Sequence, residues 1–102
     1  MAYKLRFVQN IDQKSKDSFL ELERKFIEFE KDYPKMPKGK RFLPISGTLP
    51  TNTLIWECEF ATLENLTAQL QAIYNHPIHD ELLKAQIPFM KDSYTEIYEV
   101  FE

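Results

Sequence analysis

Apolar residues recur along this chain at two spacings, and the two divide it into strands and helices. Thr53–Phe60 alternates, with Leu54, Trp56, Cys58 and Phe60 on one side of an extended segment and Ile55, Glu57 and Glu59 on the other. A two-residue period of this kind marks a half-buried strand. Residues 3–8 alternate likewise, Tyr3, Leu5 and Phe7 against Lys4, Arg6 and Val8, and predict a first strand ending near Asn10 and Asp12. Phe19, Leu22, Phe26, Phe29 and Tyr33 then recur in steps of three and four, flanked by Leu20 and Ile27, which is the stripe of an amphipathic helix. Glu21, Arg24, Lys25, Glu28 and Lys31 cover its outer face. Ser15 or Ser18 can cap it, Ser18 with Glu21 having the capping-box spacing, and Pro34 and Pro37 end it.

The second half repeats the scheme. Residues 41–45 predict a second strand, placed at a sheet edge by Pro44, and residues 46–52, with Gly47 and Pro50, predict a turn that makes strands two and three a hairpin. Thr62 caps a helix carrying Leu63, Leu66, Leu70 and Ile73. Asn75-His76-Pro77 breaks it and starts a shorter helix with Leu82, Leu83 and Ile87, stopped by Pro88. Residues 93–101 predict a fourth strand whose two faces both mix apolar and charged residues, so the pattern leaves its orientation open.

Strand, helix, strand, strand, helix, short helix, strand is the order of an α+β, ferredoxin-like fold. It makes one domain over residues 1–102: a four-stranded antiparallel sheet with helices on one face and strands one and three in the middle. Tyr3, Leu5, Phe7, Leu54, Trp56, Cys58 and Phe60 are expected to face the helices. The other face is expected to present Lys4, Arg6 and Val8, then Arg41, Leu43 and Ile45, then Ile55, Glu57 and Glu59. Tyr94, Glu96 and Tyr98 join it if the last strand takes that parity. This face is too apolar for free solvation and too charged for a dry core, because fully dry ion pairs cost more than they return. Two such faces closing around a partly hydrated interior reconcile both properties, so a homodimer is expected.

Composition narrows the function classes. Thirteen basic against sixteen acidic residues give a net charge of -3, so no global field draws the chain to nucleic acid or an anionic membrane. No apolar run approaches the roughly 20 residues that span a bilayer, and the opening residues do not read as a leader. Two glycines leave no room for a phosphate-cradling loop. One cysteine, Cys58, on an apolar strand face reads as a small buried hydrophobe in a reducing, cytoplasmic setting.

The order of elements, the string TNTLIWECEF and the closing DSYTEIYEV resemble small bacterial members of the dimeric α/β-barrel superfamily over nearly the whole chain. More distant likenesses are to NIPSNAP-like proteins, stress-responsive barrel proteins, and antibiotic-biosynthesis, cofactor-free or haem-degrading monooxygenases. The resemblance implies the ferredoxin-like fold and dimerisation, and supplies no catalytic residues.

Candidate chemistry is sparse. The haem-degrading relatives use an Asn, a Trp and a His, for which the chain offers Asn10, Trp56 and His76; Trp56, however, has core parity and Asn10 lies past the alternating part of its strand. His76 and His79, with Asp80 and Glu81, have the spacing of a metal turn, but Pro77 makes His76 a helix-start residue, and no metal or cofactor is expected. Lys35, Lys38, Lys40 and Arg41 form a basic run that reads as a solvated loop rather than an anion site. The ligand-facing candidates are Arg6, Arg41, Glu57, Glu59, Tyr94, Glu96 and Tyr98, for which a structural lattice of ion pairs is the competing account. The expected function is binding of a small, partly polar molecule between sheet faces. The alternative is a cofactor-independent monooxygenase or isomerase in the same cavity.

Overall fold

The structure, a computed structural model, describes residues 2–33 and 37–101. Its elements run β1 (Tyr3–Ile11), α1 (Lys16–Asp32), β2 (Lys40–Phe42), β3 (Thr53–Phe60), α2 (Leu63–Asn75), α3 (Pro77–Gln86) and β4 (Met90–Glu99), with short 3-10 turns before α1 and before β4. The sheet is antiparallel in the order β2-β3-β1-β4, as the order of elements predicts.

Local chemistry accounts for most of the boundaries. Thr62 accepts a hydrogen bond from Asn65 N at 3.0 Å and starts α2. His76 Nδ1 accepts from Ile78 N at 3.2 Å, and Pro77 occupies the first turn of α3, where its missing N–H costs nothing. The start of α1 differs from expectation. Ser15 precedes the helix without capping it through its side chain, and the Ser18–Glu21 pair lies inside it, because the 3-10 turn capped by Asp12 feeds directly into Lys16. Pro34 and Lys35 lie outside the described residues.

The helix-facing core forms as expected. Leu5, Trp56, Phe60 and Leu66 make one buried cluster, with Tyr3, Phe7, Cys58 and Leu70 against it. Ile11, Phe19 and Leu54 make a second, and Phe29 with Ile73 a third between α1 and α2.

Two strand predictions are corrected. β2 spans three residues rather than 41–45, and its parity is reversed: Arg41 pairs with Trp56 and faces the helices, while Lys40 and Phe42 take the open face. Leu43 and Ile45 lie beyond β2, in the connection to β3. A shift of one residue moves every side chain of a strand to the other face, and α1 supplies the reason for this one, since its Glu23 and Glu30 hold Arg41 on their side. β4 begins at Met90 and ends at Glu99, rather than spanning 93–101. Its register sets Tyr94 against Val8, Glu96 against Arg6 and Tyr98 against Lys4, which resolves its orientation toward the open face.

Candidate functional site

Six of the seven expected site residues gather on the open face of the sheet. Arg6 is the centre of a ladder, with Nη1 donating to Glu96 Oε1 at 3.0 Å and Nε 3.3 Å from Glu57 Oε2. The second contact lacks the angle of a directed hydrogen bond, so it acts through charge. Lys4 Nζ adds a contact to Glu57 Oε1 at 3.3 Å. Burial by itself would lower the Arg6 pKa, but Tyr98 and Glu96 outweigh it and hold the guanidinium above its ordinary value. Glu59, Tyr94 and Tyr98 border the same face. At its other end Val8 is fully buried and Ile55 nearly so, and residues Leu43, Pro44 and Leu49 of the β2–β3 connection share a hollow with Ile55 and Tyr94. The hollows on this face are bordered by exposed side chains such as Phe42 and Tyr98.

Arg41, the seventh, belongs to a different place. On the opposite side of the sheet, between strands and helices, lies a cavity of about 60 Å³ whose described lining residues are all buried or half-buried. At about 10–15 Å³ per water it has room for roughly four to six water-sized occupants. Trp56 and Phe7, stacked with ring centres 5.1 Å apart, form the sheet wall. Phe26 and Phe29 of α1 and His79 and Leu83 of α3 form the helix walls.

A polar chain runs along one side of this cavity. Arg41 Nη1 and Nη2 donate to the two oxygens of Glu30 at 3.0 and 2.8 Å, and its Nε donates to Glu23 Oε2. Burial works to lower the Arg41 pKa, and Glu30 and Glu23 reverse this and raise it. Glu23 Oε1 in turn accepts from Gln86 Nε2 at 2.9 Å, and the same nitrogen approaches Phe19 O at 3.3 Å. Because both partners are acceptors, the amide orientation of Gln86 is determined, and its Oε1 is the atom left over.

Four buried side-chain atoms lack a hydrogen-bond partner among the described residues, and two of them belong to residues lining this cavity. Gln86 Oε1 and Trp56 Nε1 are buried without a hydrogen-bond partner among the described residues, although Gln86 is 0% and Trp56 4% exposed. An unmet buried polar atom costs on the order of 1–3 kcal/mol, and here an acceptor and a donor belong to residues lining the same cavity. Gly39 fixes the indole from outside: a methyl there would lie 2.1 Å from Trp56 Cε2 and 2.3 Å from Nε1, so only glycine allows this approach. His79, with Phe26 at 5.2 Å between ring centres, has its pKa lowered by burial, against the pull of Asp80 and with a smaller push from His76, so it stays neutral at pH 7.

The remaining expectations resolve as follows. Asn10 points to the open face, accepting from Thr53 Oγ1 at 3.0 Å and donating to Asp92, so it stands across the sheet from Trp56. His76 caps α3 and packs against Phe29 and Tyr33, and the triad does not assemble. Among the described residues no group of three His, Cys, Asp or Glu could hold a metal ion. Burial, then Glu30 and Glu59, push the Cys58 thiol up, which disfavours the thiolate a nucleophile needs. Glu23, Glu30 and Gln86 were not expected. For Glu23 a signal existed: positions 19, 23 and 26 lie on one helical face, and a carboxylate there is a buried polar group in need of a partner.

No protein-family model matches the chain, and no curated protein matches it. Solved structures do. One is a NIPSNAP family protein from Agrobacterium tumefaciens, with a TM-score of 0.79 and 13% identity over 97% of this chain and 92% of that one. Another is an antibiotic biosynthesis monooxygenase, with a TM-score of 0.74 and 13% identity over 98% and 99%. A third is a dimeric protein of unknown function and ferredoxin-like fold from Bacteroides fragilis, with a TM-score of 0.70 and 15% identity over 97% and 96%. At such identities the likeness speaks for the backbone alone, and by it this chain has the ferredoxin-like α+β fold that these proteins share.

Proposed function

We propose that the protein binds a small molecule in the cavity between sheet and helices, and that it does so as a homodimer joined through the open sheet face. The observation that carries the first part is that two residues lining one cavity, Trp56 and Gln86, each keep a buried polar atom, Nε1 and Oε1, without a partner among the described residues. A ligand supplying one acceptor and one donor satisfies both. The chain has a single tryptophan, so its indole N–H resonance reports on this site alone. In a nitrogen-15 labelled sample titrated with small cationic, neutral and anionic compounds, at least one compound shifts that resonance saturably. A resonance unmoved by every compound up to its solubility limit rejects the proposal.

For the second part, the ladder of Lys4, Arg6, Glu57 and Glu96, with Glu59, Tyr94 and Tyr98 beside it, is assigned to the subunit contact rather than to the ligand. Phe42, Tyr94 and Tyr98 are each more than 40% exposed beside these paired charges, and the Bacteroides fragilis protein of the same fold is dimeric. A cytoplasmic setting belongs to the same reading. Among the described residues no helix is long and apolar enough to cross a membrane.

A second reading, a cofactor-independent monooxygenase or isomerase working in this cavity, draws on neutral His79 as a base at its wall and on the fold shared with an antibiotic biosynthesis monooxygenase. Oxygen uptake with a quinol substrate, abolished in His79→Ala, would favour it over simple binding.

A further inference from the structure

The walls of the cavity restrict the charge of what it takes. Glu23 and Glu30 bring two carboxylates and Arg41 one guanidinium, so the cluster keeps one negative charge. All three guanidinium nitrogens already donate to those carboxylates, through three of the five N–H bonds, and the single positive charge of Arg41 is more than matched by its two partners. A carboxylate or phosphate would enter against a net negative wall with nothing to neutralise it, and buried charge without a partner is costly.

A cation meets the opposite conditions. Four aromatic residues, Phe7, Phe26, Phe29 and Trp56, line the space, and ring faces attract organic cations. Gln86 Oε1 is an acceptor awaiting an N–H, and Trp56 Nε1 a donor awaiting an oxygen. His79, kept neutral by its burial, adds no repulsion. The volume of about 60 Å³ has room for roughly four to six non-hydrogen atoms.

Resting on the reading that this cavity is a ligand site, we infer that its ligand is a small organic monocation: a primary ammonium group that donates to Gln86, joined to a hydroxyl or carbonyl oxygen that accepts from Trp56. The two carboxylates supply the charge that selects it. Amino alcohols and amino amides of two or three carbons belong to this class; neutral alcohols and hydroxy acids of the same size do not.

The test uses ethanolamine, n-propanol and glycolate at matched ionic strength, with binding read by calorimetry and by the indole N–H resonance. Ethanolamine is expected to bind about tenfold or more tighter than n-propanol, and glycolate to leave the resonance in place. Glu30→Gln weakens ethanolamine about tenfold and leaves n-propanol unchanged. Glu28→Gln removes the same charge from the exposed side of α1, where Glu28 pairs only with Lys31 among the described residues, and changes neither. n-Propanol or glycolate binding as tightly as ethanolamine overturns the inference and leaves the ligand site standing. So does an equal effect of Glu28→Gln and Glu30→Gln, which assigns the preference to overall charge. An indole resonance that none of the three moves overturns the inference, and the ligand site falls with it if the wider set of compounds fails too.

Discussion

Arg41 is the residue on which the helix–sheet side of the molecule turns. It is 14% exposed, with Glu23 at 8% and Glu30 at 16%, so the three charges share a largely desolvated site. Removing one member strands the others: Arg41→Met is expected to cost about 3 kcal/mol, read from urea unfolding, and adding Glu30→Gln to that variant recovers part of the loss. No loss in Arg41→Met would mean that the carboxylates are solvated. His79 sets a pH dependence with a definite sign. Its folded-state pKa lies below the ordinary 6.5, so on acidification the unfolded chain takes up the proton first. The stability that neutral His79 supports is therefore complete above about pH 6.5 and declines as pH falls below it, until the folded-state pKa is passed. The melting temperature should drop between about pH 7.5 and about pH 5.5, and drop less in His79→Gln. Parallel curves for the two proteins would show that His79 does not carry the effect.

At the scale of elements, what was readable in the sequence followed the length of each periodic run. Eight alternating residues in β3 identify its faces, and the three-four spacing of Phe19, Leu22, Phe26 and Phe29 identifies α1. β2 offers three residues, too few for a period, and its parity is decided by carboxylates on α1 that are distant in sequence. β4 carries apolar and charged residues on both sides because its edge position leaves both sides partly in solvent, so only pairing with β1 resolves it. The open-face ladder was legible, since Lys4, Arg6, Glu57 and Glu59 sit at matching parities. The cavity was not, because it is made where α1, α3 and β3 meet and its polar atoms become conspicuous only through the partners they lack. Caps, being local, were legible in α2 and α3. Thr62→Ala should destabilise by about 1 kcal/mol, measured by urea unfolding, and a change near zero would mean that packing of Leu66 and Ile73 alone holds α2 in place.

For the whole molecule, the sheet separates two tasks. One face holds the helices and the cavity; the other carries a charge ladder flanked by exposed tyrosines. If the open face joins two copies, sedimentation equilibrium at micromolar concentration gives twice the chain mass, and Arg6→Glu, which sets three carboxylates together, gives the single mass. A wild-type protein that sediments as a monomer throughout that range would remove the dimer from the proposal while leaving the cavity untouched.

The cavity itself is tested most directly by high-resolution diffraction from crystals soaked in ethanolamine. Density not belonging to the protein, within hydrogen-bond distance of both Trp56 Nε1 and Gln86 Oε1, is the predicted result. A cavity closed by the protein's own side chains, with the indole N–H and the Gln86 carbonyl bonded to them, would contradict it.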